Sequence, residues 1–124
     1  RVCSHTFRSM SGLSEQTCTP CRGDEPAMSR EQIHDTMQQI GSGWELVERG
    51  DIPRLRRKFR FKGFQPALDF TVEVGRIAEE VGHHPRIVTQ WGSVTVDWWT
   101  HKISGLHMND FVMASRTDEL YARP

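Results

Sequence analysis

The 124 residues contain no apolar run near the ~20 that a membrane-spanning helix requires, and no excess of charge. Sixteen basic and sixteen acidic residues cancel, so no molecule-wide field draws the chain to nucleic acid or to an anionic membrane. Cysteine is scarce and badly placed for cross-linking, because Cys3, Cys18 and Cys21 all fall in the first 21 residues. An odd number crowded at one end is no disulfide framework, and it suits a reducing compartment. A zinc ribbon would need a second pair beside Cys18-Thr19-Pro20-Cys21, and none exists. A thioredoxin-like pair would need a helix after it, where Arg22-Gly23-Asp24-Glu25-Pro26 reads as turn. These absences predict a soluble, cytoplasmic chain with two exposed thiols in a tail.

Residues 1–27 are rich in Ser, Thr, Gly, Pro and Cys without an apolar period, and read as a mobile arm. Arg1 to Met10 holds two arginines, several hydroxyls and no acid, faintly like the remnant of a transit peptide that would direct the chain to an organelle. A natural start at Met10 is the preferred reading. Residues 28–124 read as a single domain.

Within it the punctuation is clear. Ser29-Arg30-Glu31-Gln32 is a capping box, with Met28 and Ile33 as its hydrophobic staple. Gly41-Ser42-Gly43 stops that helix. Trp44–Val47 and Leu55–Phe61 predict two strands around the turn Glu48 to Pro53. Ala67, Phe70, Val74, Ile77, Ala78 and Val81 recur at helical steps from Pro66 onward, until Gly82 and Pro85 end the helix. Ile87–Gln90 and Ser93–Thr100 form a hairpin through Trp91-Gly92, and a last helix runs from about His107 to Leu120. The order helix-strand-strand-helix-strand-strand-helix predicts an α+β fold: a single four-stranded antiparallel sheet with three helices on one face. The other face, read as rich in Phe and Trp, predicts self-association.

Arg54 to Lys62 holds six basic residues in nine, interleaved with Phe, a pattern also found where proteins bind nucleic acid. With zero net charge, a charged outer strand face that resists edge pairing is the preferred reading, so no nucleic-acid partner is expected.

The chemistry concentrates at Glu79-Glu80-Val81-Gly82-His83-His84-Pro85, followed by Thr100-His101 and Asp110. If the hairpin turns at Trp91-Gly92, cross-strand partners have numbers summing to about 183. His101 then falls within one residue of the partner of His83, with opposed Cα atoms on the order of 5 Å apart. Asp110, in the first turn of the last helix, can point back at this corner, and Glu79 lies one helical turn before His83. Three readings stand. The histidines are polar turn chemistry; or, with the carboxylate, they hold zinc; or they work as metal-free acids and bases. Histidine changes charge near pH 6.5, so two rings across a small cavity suit an elimination, in which one proton leaves as another arrives.

Glu79-x3-His83-His84-Pro85, Trp91, His101 and Asp110 at this spacing resemble the signature of the pterin-4a-carbinolamine dehydratases. Lys58-Phe59-Arg60-Phe61-Lys62-Gly63-Phe64 and Gly105-Leu106-x3-Asp110-x3-Ala114 are similar to that family's second strand and last helix. The resemblance implies dehydration of 4a-hydroxytetrahydropterin to quinonoid dihydropterin, in the recycling of tetrahydrobiopterin. It implies no metal and no cofactor, the pterin being the substrate. His83 and His101 would be general acid and base, and His84 would hold the hydroxyl. Asp110, Glu79, Pro85 and Trp91 would bind or orient the pterin. A homodimer or homotetramer is also implied. Many members carry Ser or Thr where this chain has His107, a departure expected to affect the helix start more than the chemistry. Relatives with this fold serve as Rubisco assembly factors or as a dimerisation cofactor for a transcription factor. A catalytically silent chain with a protein partner is therefore the alternative.

Overall fold

The computed structural model describes residues 12–18 and 26–123. Seven regular elements follow in the expected order: α1 (Arg30–Met37), β1 (Glu45–Arg49), β2 (Ile52–Arg60), α2 (Phe64–Val81), β3 (Arg86–Gln90), β4 (Ser93–Trp98) and α3 (Met108–Ala122). The four strands form one antiparallel sheet in the order β1-β2-β4-β3. The β3–β4 ladder runs from Gln90 opposite Ser93 to Arg86 opposite Asp97, so the partner sum of 183 holds along its whole length.

Local chemistry sets the element ends. At α1, Gln32 N–H donates to Ser29 Oγ at 3.1 Å and Ser29 N–H donates to Gln32 Oε1 at 2.8 Å, completing the capping box. α2 ends in a Schellman motif. Gly82 takes φ 68°, its N–H donates to the Glu79 carbonyl, and His83 N–H donates to the Ala78 carbonyl. The motif that stops the helix therefore also anchors the backbone of His83.

Strand alternation then decides the layers. Leu55 and Phe59 of β2 and Val94, Val96 and Trp98 of β4 are almost wholly buried beneath α2 and α3. Phe59, Phe70, Phe61 and Tyr121 make edge and tilted ring contacts in that layer. This corrects the expectation of an open sheet face rich in Phe and Trp. The aromatic rings sit under the helices because they share a side of the pleat with Leu55 and Val96. The uncovered face carries Arg54, Arg56, Lys58, Arg60 and Asp97, with Trp99 beside Arg54.

That face holds an ion cluster that no short-range pattern reveals. Asp97 is fully buried and accepts from Arg56 Nε at 2.7 Å and Nη2 at 2.9 Å. Arg86 Nη1 lies at 3.4 Å and Arg54 Nη1 at 3.8 Å. Arg56 and Arg86 flank Asp97 because they are its register partners on the two neighbouring strands. Hydrogen bonding to Asp97 holds the Arg56 guanidinium above its ordinary value.

Residues 12–18 lie within the stretch read as an arm. Leu13 is buried against α3, at the start of a 3-10 turn spanning Leu13–Glu15. Arg116 clamps this segment, with Nε donating to the Ser14 carbonyl at 3.0 Å and Nη2 to the Gln16 carbonyl at 2.6 Å. Ser14 also bonds Glu119. Cys18 is partly buried and packs on the core, whereas Cys3 and Cys21 lie outside the described residues.

Candidate active site

The corner after α2 brings His83 onto the start of α3. His83 Nε2 and Asp110 Oδ1 stand 2.6 Å apart, with the imidazole side chain 14% exposed and the carboxylate fully buried. The ring also lies over Trp98, centroids 5.6 Å apart and planes 25° apart. A ring with one nitrogen tied and one face stacked has little freedom to turn.

Asp110 owes its place to the helix start. Its Oδ2 accepts from the His107 backbone N–H at 3.0 Å and from the Thr100 hydroxyl at 2.8 Å. His107 is itself the N-cap, its Nδ1 accepting from Asn109 N–H at 3.0 Å. The imidazole thus does what Ser or Thr does at other helix starts, with a ring nitrogen as acceptor. An ionised carboxylate accepts hydrogen bonds and donates none, and two donors already meet Asp110 Oδ2. His83 Nε2 is therefore the donor in its bond, which leaves Nδ1 with the lone pair when the ring is neutral.

The other predicted residues fall in three places. His84 and Glu79 pair at the surface, Nε2 to Oε1 at 2.9 Å, both largely exposed. Pro85 follows at the head of β3. His101 is exposed and begins a 3-10 turn, because pairing in β4 ends at Trp98 rather than at Thr100. Thr100 bridges Gly105 instead, with Thr100 N–H donating to the Gly105 carbonyl at 2.9 Å. The His101 ring rests on Trp99, centroids 4.5 Å apart. Consecutive side chains leave a strand on opposite faces, so Trp98 with His83 and Trp99 with His101 flank the end of β4 on its two sides. Trp91 is not brought to the histidines. It stands at the β3–β4 turn, 76% exposed, with the five residues of β3 between it and Pro85. That separation is on the order of 20 Å at an extended rise.

Thr100 is the contributor that sequence reasoning missed as a functional side chain. A hydroxyl next to a candidate histidine was the available signal. Among the described residues, no three His, Cys, Asp or Glu side chains are grouped closely enough to hold a metal ion. No helix among them is long and apolar enough to cross a membrane.

Comparison with known proteins places residues 26–120 in the family model described as pterin 4 alpha carbinolamine dehydratase. A protein of Nitrosococcus oceani, provisionally named a pterin-4-alpha-carbinolamine dehydratase, is 49% identical over 111 residues, covering 90% of this chain and 97% of its own length. A similarly named protein of Gloeobacter violaceus is 51% identical, covering 90% and 95%. Among solved structures, a transcriptional coactivator/pterin dehydratase from Brucella melitensis superposes with TM-score 0.70 at 24% identity, over 77% of this chain and 99% of that one. A pterin dehydratase-like RuBisCO assembly factor of the alpha-carboxysome gives 0.55 at 20% identity, over 66% and 93%. At such identity the two structural likenesses are of fold.

Proposed function

This chain belongs to the pterin 4 alpha carbinolamine dehydratase family, and on that premise we propose that it eliminates water from a 4a-hydroxytetrahydropterin. In that step the C4a–O bond breaks, N5 gives up its proton and a C4a=N5 double bond forms. The departing hydroxyl takes a proton to leave as water. No electron acceptor enters, so two proton carriers suffice.

The tie of His83 to Asp110 carries the reading. With Nε2–H directed at the carboxylate, the lone pair on Nδ1 is the natural acceptor of the N5 proton, and the imidazolium so formed is stabilised by Asp110. His101, on the far side of the β4 end, is then the donor to the leaving hydroxyl. His84, braced by Glu79, holds that hydroxyl, and Pro85 beside it lies against the pterin. The reaction belongs to pterin recycling and calls for no metal or cofactor.

Self-association belongs to the same proposal but rests on a different surface from the one expected. Phe64, Leu68 and Val72 are exposed at four-residue steps along α2, an apolar stripe suited to a second copy in a homodimer or homotetramer. Sedimentation should show an oligomer that Leu68→Glu dissociates.

The direct test is dehydration of 4a-hydroxytetrahydropterin by the purified protein. Acceleration, with a loss of about 10²–10⁴-fold in His83→Ala, is the expected result. A rate equal to the spontaneous one overturns the proposal in favour of a binding role with a protein partner.

A further inference from the structure

The six basic residues between Arg54 and Lys62 do not form one stripe. Arg54 and Arg56 are held by Asp97, and Arg57, on the opposite side of the strand, meets Asp118 at 2.6 Å. Lys58, Arg60 and Lys62 are exposed and have no ion-pair partner among the described residues. The run therefore divides into a half engaged in ion pairs and an unpaired half, and the unpaired half lies at the hairpin end, away from His83.

There the surface is concave. A groove of about 530 Å3 is lined by Lys58, Arg60, Gln90, Trp91 and Ser93, with no acidic residue in its wall. Register explains the grouping, since Arg60, Ser93 and Gln90 form one row across β2, β4 and β3. Its volume lies within the about 300–1,000 Å3 of small-molecule sites. Two cations on one side suit a phosphate, with the guanidinium able to engage two oxygens. On the other side the Trp91 indole, 76% exposed at the turn, offers a face on which a planar ring can stack. Between them stand the Gln90 amide and the Ser93 hydroxyl. Their mutual bond, at 3.5 Å, is long enough to be given up to a ring edge.

We propose that this groove is a second ligand site, for a phosphate-bearing planar ring of the nucleotide class, separate from the histidine corner. A single nucleotide fits better than a nucleic-acid strand because the next cations along that face, Arg56 and Arg54, are already turned onto Asp97. A strand following that face would leave the free cations after one or two phosphates. This site does not depend on the dehydratase reading.

Calorimetric titration with AMP tests it, with adenosine and ribose 5-phosphate as the two halves of the probe. Saturable binding of one AMP per chain is expected, with each half weaker by about tenfold or more. Arg60→Gln and Trp91→Ala should each weaken AMP about tenfold. His83→Ala should leave AMP binding unchanged, and Arg60→Gln should leave the dehydration rate unchanged. No saturable binding up to about 1 mM overturns the proposal. So does binding lost in His83→Ala but kept in Arg60→Gln, which would place AMP at the histidine corner. A hexanucleotide that binds where AMP does not would make the groove a strand site. Trp91→Ala that dissociates an oligomer without altering AMP binding would make it an interface.

Discussion

Two carboxylates on either side of β4 are buried to the same degree and face different partners. Asp97 and Asp110 are both fully shielded from solvent. Asp97 faces arginines, which stay charged at any ordinary pH, so the cluster is a fixed ion pair joining three strands. Asp110 faces a histidine, a hydroxyl and a helix N-terminus, so its partner can gain or lose a proton while the carboxylate stays in place. On the proposed function, a buried carboxylate locks structure when its partner cannot titrate, and supports proton transfer when its partner can.

Exchanging the charge at each site should separate the two roles most sharply. Asp110→Asn is expected to lower kcat by about 10²-fold or more, because His83 loses the anion that fixes its tautomer and stabilises its cation. Asp97→Asn should leave kcat within about twofold and instead cost about 2–3 kcal/mol of stability. That is less than the about 3–5 of a fully buried pair, since the arginine heads keep part of their solvent. Urea unfolding and dehydration kinetics on both variants check this. Equal losses of activity would erase the distinction.

Thr100→Val asks whether Asp110 must be held as well as present. The substitution keeps the shape and removes the donor to Oδ2, leaving a buried acceptor short of one bond at a cost of about 1–3 kcal/mol. Activity should fall about tenfold, with the loss in kcat rather than KM, because this buried hydroxyl is directed at Asp110. A change confined to KM would assign Thr100 to binding.

Much of this arrangement was legible beforehand. The capping box at Ser29, the stop at Gly82 and the hairpin sum of 183 are local or short-range, and turn chemistry sets them. Asp97 was not, because its cations arrive from two other strands and strand alternation does not say which charges will meet. The end of β4 was also hidden. Counting carried the ladder to His101, whereas pairing in β4 ends at Trp98 and the bridge from Thr100 to Gly105 closes a tight loop that carries His101. Leu13 gave no periodic signal, being a lone apolar residue in a polar stretch that α3 and Arg116 hold down. Asp110 was legible by its spacing, but the role of His107 as helix cap needed the geometry of its ring.

Asp118 supplies an intermediate case. It meets one arginine and the Trp44 indole N–H, yet burial pushes its carboxyl above the ordinary 3.8, against the pull of Arg57 and Trp44. The native carboxyl thus holds its proton more tightly than the unfolded one. The resulting stability is complete below pH 3.8 and is lost as pH rises through the raised value. Asp118→Asn keeps an acceptor for Trp44 and does not titrate. The difference in Tm, variant minus wild type, should therefore move in favour of the variant by a few degrees as pH rises across that window. A difference that moves the other way would mean that the Arg57 pair outweighs burial, making Asp118 resemble Asp97.

The smallest effect bears on the comparison directly, because Cys18 responds to one of the two carboxylates. Burial pushes its thiol above the ordinary 9.0, Arg116 pulls it down, and Asp110 adds a push upward. Alkylation by iodoacetamide near pH 8, followed site by site by mass spectrometry, should be slower at Cys18 than at a cysteine in a short peptide. Asp110→Asn removes only the last and least of the three influences, so the rate at Cys18 should rise by less than about threefold. Asp97→Asn, across the sheet, should leave it unchanged. Acceleration in both variants would mean that the segment carrying Leu13 and Cys18 had loosened from α3. Acceleration in Asp110→Asn alone would show the Asp110 charge reaching a group that the helix start does not touch.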